Sequence, residues 1–291
     1  MRTSETADEK THGISIVIPA HNEAQVIERG LRALFDGAPA GSLDVVVVCN
    51  GCVDGTADVA RRFGSHVRVI ELSTASKSAA LNAGDQVAAH FPRFYVDADV
   101  VVSGGDLHRV AAVLRDGDAL AASPGLRVDT TSSSWGVRRY YRFWQTLPQI
   151  AEDLSGRGVY GTSEEGRQLF GLFPDVIADD LYFRSRFPRD RRRSVPGTHA
   201  TVFAPRTLRG LVRRRVRVQA GNAQLTDAVD RSGGPGRAPS LLTALRRGSP
   251  VDAVVFVAVA LTSRAARMWT RRVTHVNSWP ADDSRPSAST A

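Results

Sequence analysis

Cysteine is almost missing from this chain of 291 residues: Cys49 and Cys52 are its only two. One pair cannot make a disulfide framework, and such usage suits a reducing compartment. The two stand in Cys-Asn-Gly-Cys between an apolar run and an expected helix start, which is also the context of a thioredoxin-like redox motif. Lysine is equally scarce, with Lys10 and Lys77 alone, although Lys and Arg together number 38 against 30 Asp and Glu. The net charge of +8 is therefore an arginine charge. It favours phosphates, acidic lipid surfaces or other polyanions. Aromatics are sparse at 7% and do not interleave with the arginines. That argues against a stacking platform for nucleic acid. The opening MRTSETADEKTH has no apolar h-region, so a secretory signal is not expected and a cytoplasmic location is. No apolar run is long enough to span a bilayer. The longest near the C-terminus, Ala253–Leu261, would make a helix of about 13 Å against a hydrocarbon core of about 30 Å.

What is present is the alternation of an α/β protein. ISIVIP (14–19), DVVVVC (44–49), VRVIEL (67–72) and RFYVDADVVV (93–102) read as buried strands. Helices fit between them at about 24–35, 54–63 and 76–90, the first with Val26, Ile27, Leu31 and Leu34 on one face. This order predicts a mostly parallel sheet. Ligands then belong at the carboxyl ends of the strands, after Pro19, after Val48 and around Asp97.

The second half is less regular. It offers a strand at 119–128, an aromatic helix at 135–153, a glycine-rich turn region at 155–163 and a helix at 163–170. A strand near 198–203 and a basic helix near 206–219 follow. Residues 13–125 and 126–222 read as two halves of one catalytic domain and 223–250 as a linker. Residues 251–272 read as a C-terminal helix, and 1–12 with 277–291 as disordered tails. The helix carries Arg264, Arg267, Arg271 and Arg272 behind its apolar run. It fits an anionic membrane surface or a site packed against the domain.

Two acidic pairs carry the chemistry. Asp97 and Asp99, two apart, would share one side of an extended strand. Two carboxylates at a strand end need a cation or donors to neutralise them, and Mg²⁺ or Mn²⁺ bound to phosphate oxygens would do so. A solvated turn is the other reading of Asp-x-Asp. Asp179 and Asp180 form the second pair. Adjacent helical residues diverge by about 100°, so one carboxylate can face a site while the other supports it. The same pair could instead be helix-start acids facing Arg184 and Arg186.

The order of IVIPAHNEAQVIERGLRAL, VVVVCNGCVDGTADVARRF, SKSAALNAG and YVDADV, continued by GVYGTSEEGRQLFGLFPDVIADDLYF, resembles the family-2 glycosyltransferases. The resemblance runs from about residue 13 to about 220. It implies a Rossmann-like, nucleotide-diphosphosugar transferase (GT-A) fold: one catalytic domain with a C-terminal helical extension. It also implies an inverting, metal-dependent hexosyl transfer from a nucleotide diphosphate-sugar to a hydroxyl on a glycan, lipid-linked or small acceptor, as in cell-envelope glycan synthesis. UDP and GDP are the donors it suggests.

Carried over by position, Pro19, Ala20, Asn22 and Glu23 form the first nucleoside loop, with Glu23 also readable as a first-turn helix acid. Asn50 and Asp54 belong to the second. There the family often has an acidic pair, and Cys49 and Asn50 stand in its place. Cys52 occupies a position commonly held by serine, which makes the cysteine spacing accidental. Lys77 matches a basic position facing the nucleotide, and a solvated helix-start lysine is its alternative. Asp97 lies beside the ribose or the metal, and Asp99 holds the metal. Asp180 matches the catalytic base with Asp179 in support. His199 is a further potential metal ligand or a structural histidine. A nucleotidyltransferase acting on sugar phosphates is the rival, but PAHNEA is not the glycine-rich phosphate loop that such an enzyme usually carries. A basic, non-catalytic anion-binding domain is the other.

Overall fold

The computed structural model describes residues 13–147, 150, 154, 156–228 and 249–270. The expected tails at 1–12 and 277–291 lie outside them, as does most of the expected linker.

Eight strands form one sheet in the order β3-β2-β1-β4-β7-β6-β8-β5. β1 (Ile14–Ala20), β2 (Leu43–Asn50), β3 (Val67–Leu72) and β4 (Arg93–Val96) are mutually parallel, as the alternation required. Both faces of this half are covered. Ile14, Ile16 and Ile18 of β1 meet α1 (Ile27–Leu34), α2 (Thr56–Arg61) and α4 (Gly104–Arg115) in one core. Val17 points the other way, into a cluster with Leu81 of α3 (Lys77–Val87). Two-sided burial explains why these strands read as continuous apolar runs rather than alternating ones.

The second half departs from expectation in several places. The expected strand at 93–102 breaks at a turn closed by Val100 N–H donating to the Asp97 carbonyl at 3.0 Å. β5 is only Val101–Val102 and pairs with β8 (Arg192–Phe203) at the far edge of the sheet. Asp97 and Asp99 therefore sit on a turn, not on one side of a strand.

The 155–163 stretch, expected as a flexible turn, contains β7 (Val159–Thr162). It is wholly buried and antiparallel to both β4 and β6 (Ala121–Asp129). Its Gly161 lies against the Phe94 ring, where a Cβ would overlap it. That glycine permits close packing and does not confer flexibility. The expected boundary at 125/126 falls inside β6.

α4, which starts with two glycines and went unrecognised, is capped by Ser103, whose Oγ accepts from Asp106 N–H at 3.0 Å. α5 (Trp135–Trp144) is shorter than expected, and α6 is a single turn (Glu164–Arg167). α7 is Asp179–Ser185 and α8 is Leu208–Ala228, which overruns the expected linker start at 223. α9 (Pro250–Thr270) packs on α5 and α8, with Phe256 stacked on Tyr140.

One buried carboxylate ties α3, β4 and α6 together. Asp85 accepts from Arg93 at 2.6 Å, from the Tyr95 hydroxyl at 2.6 Å, and from two nitrogens of Arg167 at 2.8 and 2.6 Å. Burial alone would raise its pKa, but Arg167, Tyr95 and Arg93 outweigh that and hold it below the usual range. Removing one partner of such a network leaves buried charges unpaired. Asp85→Ala is expected to lower stability by about 3–5 kcal/mol, read as a fall in the urea midpoint.

Candidate active site

The carboxyl ends of the neighbouring strands β2, β1 and β4 lie side by side, and the loops after β1 and β2 are bonded to one another. Asn22 has φ 55, a left-handed conformation that asparagine tolerates. Its Oδ1 accepts from Val53 N–H at 2.9 Å. Asp54 accepts from Ala24 N–H at 3.2 Å, from Thr56 N–H at 3.0 Å and from the Thr56 hydroxyl. Glu23, buried, donates its N–H to Thr56 Oγ1 at 2.8 Å. Asp54 thus clasps the first loop to the start of α2.

Ala20 and Pro19 end β1 in register with Cys49 and Val48. The Ala20 carbonyl accepts from Asn50 Nδ2 at 2.8 Å, which fixes the amide's orientation, since a carbonyl only accepts. Asn50 Oδ1 is buried with no hydrogen-bond partner among the described residues. His21 Nδ1 lies 2.6 Å from the Asn50 carbonyl and so must carry the proton of that contact. Gly51 turns the chain at φ 59, where a Cβ would fall 2.7 Å from Ala75 N.

Cys52 behaves as a serine would: its Sγ donates to the Ala20 carbonyl and accepts from Asn22 N–H, both at 3.4 Å. Burial, and then Cys52 beside it, push the Cys49 thiol well up. Cys49 is also buried in the core, whereas a redox dithiol needs an accessible thiol with a lowered pKa, so the structure lends the redox reading no support.

The centre of the site is Lys77. It opens α3, where the helix dipole disfavours a cation, and two carboxylates compensate. Its Nζ lies 2.7 Å from Asp97 Oδ1 and 2.8 Å from Asp179 Oδ1. Burial would lower the Lys77 pKa, but Asp179 and Asp97 together raise it above its ordinary value, so the ammonium stays charged. The other Asp179 oxygen accepts from the Tyr160 hydroxyl at 2.7 Å. Burial first, and then Asp179, push that phenol far above its usual range.

Asp180 is turned differently. It is half-buried and accepts from Gly156 N–H at 2.6 Å and from Leu181 N–H at 2.8 Å. Burial and the neighbouring Asp179 push its carboxyl up to about 6. Among the described residues the partners of the doublet are Lys77, Tyr160 and backbone donors, rather than Arg184 and Arg186.

Asp99 is half-buried, and its carbonyl accepts from Arg29 at 3.4 Å, whose guanidinium lies 3.7 Å over the Phe203 ring. Among the described residues no group of three or more His, Cys, Asp or Glu is placed to hold a metal. His199 does not join Asp99. Val102 pairs with Ala200, so His199 lies beyond one end of β5 and Asp99 beyond the other. The sequence reading missed Tyr160, Arg29 and Gly158. The last has φ 63, and its carbonyl accepts from Asp97 N–H at 2.8 Å. The antiparallel pairing of β4 with β7 places this segment beside the acidic turn, and no local pattern announces it.

Residues 15–168 match the family model described as Glycosyl transferase family 2. The chain belongs to that family. A curated family relative, glycosyltransferase AglE of Haloferax volcanii, is 24% identical over 226 residues, covering 73% of each chain. Another, an uncharacterised glycosyltransferase YibD of Escherichia coli, is 24% identical over 152 residues, or 51% of this chain and 41% of its own. Among solved structures, mannosyltransferase PcManGT from Pyrobaculum calidifontis, in complex with GDP-Man and Mn²⁺, superposes with a TM-score of 0.60. It is 21% identical, and the match covers 90% of this chain and 76% of that one. Staphylococcus aureus TarS with UDP-GlcNAc gives 0.54 at 15% identity over 88% and 92%. These neighbours establish the GT-A type of fold, and the family establishes a glycosyltransferase.

The Asp180 shift has a sign that can be measured. Its folded pKa lies above the unfolded value, so the stability it contributes is present below 3.8 and lost as pH rises through about 6. That rise corresponds to about 3 kcal/mol at most. Asp180→Asn is expected to melt higher than the wild type at pH 8, with the gap closing as pH falls towards 4. Thermal unfolding across that range is the measurement.

Proposed function

We propose that this glycosyltransferase moves a sugar from a nucleoside diphosphate to an acceptor hydroxyl in one inverting displacement, with Asp180 as general base. The observation that carries this reading is the division of the acidic doublet. Lys77 and Tyr160 lock Asp179 in place, while Asp180 is left half-buried with a carboxyl raised towards neutrality. A base with a pKa near the working pH combines availability with driving force. The acceptor oxygen attacks C1 and gives its proton to Asp180. The bond from C1 to the diphosphate oxygen breaks, and its electron pair leaves with the nucleoside diphosphate. Configuration at C1 inverts.

The donor lies across the ends of β1, β2 and β4, with Pro19, Ala20, Asn22, Glu23, Asn50 and Asp54 shaping the nucleoside loops. Asn50 gives one N–H of its amide to Ala20, and its Oδ1 is the acceptor left without a partner among the described residues. That favours a base bearing an imide or lactam N–H, as uracil and guanine do. PcManGT is described with GDP-Man. Glucosyl-3-phosphoglycerate synthase of Mycobacterium tuberculosis is described with UDP and Mn²⁺. Both support a donor of this class.

Asp99, with Asp97, would hold a divalent cation. The donors are hard oxygens, and with too few protein ligands for a closed shell, phosphate and water must complete it, which suits Mg²⁺ or Mn²⁺. When bound, the metal would offset charge on the leaving diphosphate. Lys77 fixes Asp97 beside it and Asp179 behind the base. The Asp97–Lys77–Asp179 chain thus sets the distance between the donor end and the acceptor end.

Asp99→Asn is expected to fold normally and to lose the Mn²⁺-dependent part of nucleotide-sugar affinity. Calorimetric titration with and without Mn²⁺ tests this, and wild-type affinity that is equal in both conditions would remove the metal from the scheme. Asp180→Asn keeps the shape of the side chain but cannot take a proton. Single-turnover transfer should fall by roughly 10²–10⁴ while donor affinity persists, and Asp179→Asn should fall less. Transfer at wild-type rate by both variants would make the doublet structural.

A further inference from the structure

We propose that the layer formed by α5, α8 and α9 docks on an anionic lipid bilayer, with α9 lying in the plane of the interface. α9 has its inner face occupied. Ala253, Phe256 and Val259 pack on α5 and α8, and Asp252 is buried against Arg139 at 3.1 Å and Arg142 at 3.8 Å. Its outer face is apolar and open. Val251, Val254, Leu261 and Met268 are exposed at 47%, 69%, 59% and 66%, with exposed Ala258 and Ala265 between them. The spacing of three and four residues puts all six on one stripe. From Val251 to Met268 that stripe runs about 27 Å along the helix axis. No helix among the described residues is long and apolar enough to cross a membrane, so contact with lipid must be lateral.

The charge around the stripe selects the occupant. α5 carries three arginines, α8 five among its described side chains and α9 two, and the only acid among those side chains is the buried, paired Asp252. Arg138, Arg142, Arg209, Arg213 and Arg264 are exposed. Trp135, 55% exposed, lies under Arg139, 5.3 Å from its guanidinium, at the α9 end that holds Asp252. An apolar stripe within an all-arginine layer suits a surface that is hydrocarbon beneath and anionic above. A second copy of this chain offers the stripe but repeats the positive charge. A nucleic acid offers the charge but nothing for the aliphatic side chains.

The position has a consequence for transfer that rests on the base assignment above. α8 reaches the acidic doublet: Gly221 is in close contact with Ile177 and Ala178, immediately before Asp179. Docking would present the acceptor side of the site to the membrane surface.

The test is flotation of the full chain with vesicles of phosphatidylcholine alone and of phosphatidylcholine mixed equally with phosphatidylglycerol. Binding to the mixed vesicles, weakened by salt, is expected, with little to phosphatidylcholine alone. The exposed-face variant Val254→Glu/Leu261→Glu should bind the mixed vesicles at least tenfold less. Arg264→Ala should cost roughly fivefold. Donor affinity and thermal unfolding should be unchanged in each, which separates a failure of docking from a failure of the fold or of the donor site. Unchanged vesicle binding by Val254→Glu/Leu261→Glu would overturn the proposal. So would a wild-type chain that ignores both kinds of vesicle, including one that forms a dimer which this double variant dissociates.

Discussion

The ammonium of Lys77 holds the site together. It bridges the acidic turn after β4 and the acidic doublet that opens α7, two segments some eighty residues apart in sequence. Without a positive charge between them, Asp97 and Asp179 would repel across a buried gap, where Coulomb forces are weakly screened. With it, three charged groups occupy a space that would not hold two carboxylates alone. Arginine abounds in this chain, but its planar fork would need more room and would divide its bonds differently. A compact ammonium with three donors fits between two carboxylates. That gives a physical reason for a lysine at this position in a chain whose basic residues, Lys10 apart, are arginines.

Around this bridge the structure separates fixing from reacting. Asp85 and Asp179 are buried carboxylates whose lone pairs are taken by neighbours, and each joins elements distant in sequence. Asp180 and Asp99 keep part of their surface open. The buried acids set the frame, and the more open ones are those proposed above as base and metal ligand. The same logic runs through the cysteines: Cys52 hydrogen-bonds within the loop, and Cys49 fills the core.

The parallel half of the fold was legible because its strands are buried on both faces and its helices on one, so hydropathy followed structure closely. The four motif segments fall at the ends of β1, β2 and β4 and at the start of α3, and the resemblance to family-2 glycosyltransferases matches the family found. What stayed hidden depended on contacts between distant segments. Gly158 and Gly161 suggested a flexible turn. Their small size in fact lets β7 slide between two strands and lie against Phe94. RFYVDADVVV looked like one strand because its composition is uniformly strand-like, yet its first part lies mid-sheet between β1 and β7 and its last part pairs with β8 at one edge. Lys77 was singled out by its rarity. That it would contact carboxylates of both halves could not be read without knowing that α7 returns beside β4.

The placement of β7 has a consequence for the newborn chain. β4 emerges from the ribosome with β1 on one side and nothing on the other, and its rightful neighbour is about sixty residues from being made. Until then a buried strand of the finished enzyme is an open edge, with unpaired amides and a bare Phe94. β5 waits longer still, for β8. The parallel half of the fold is therefore complete in sequence well before its sheet is closed. During that interval its exposed border is a place where another chain could add a strand.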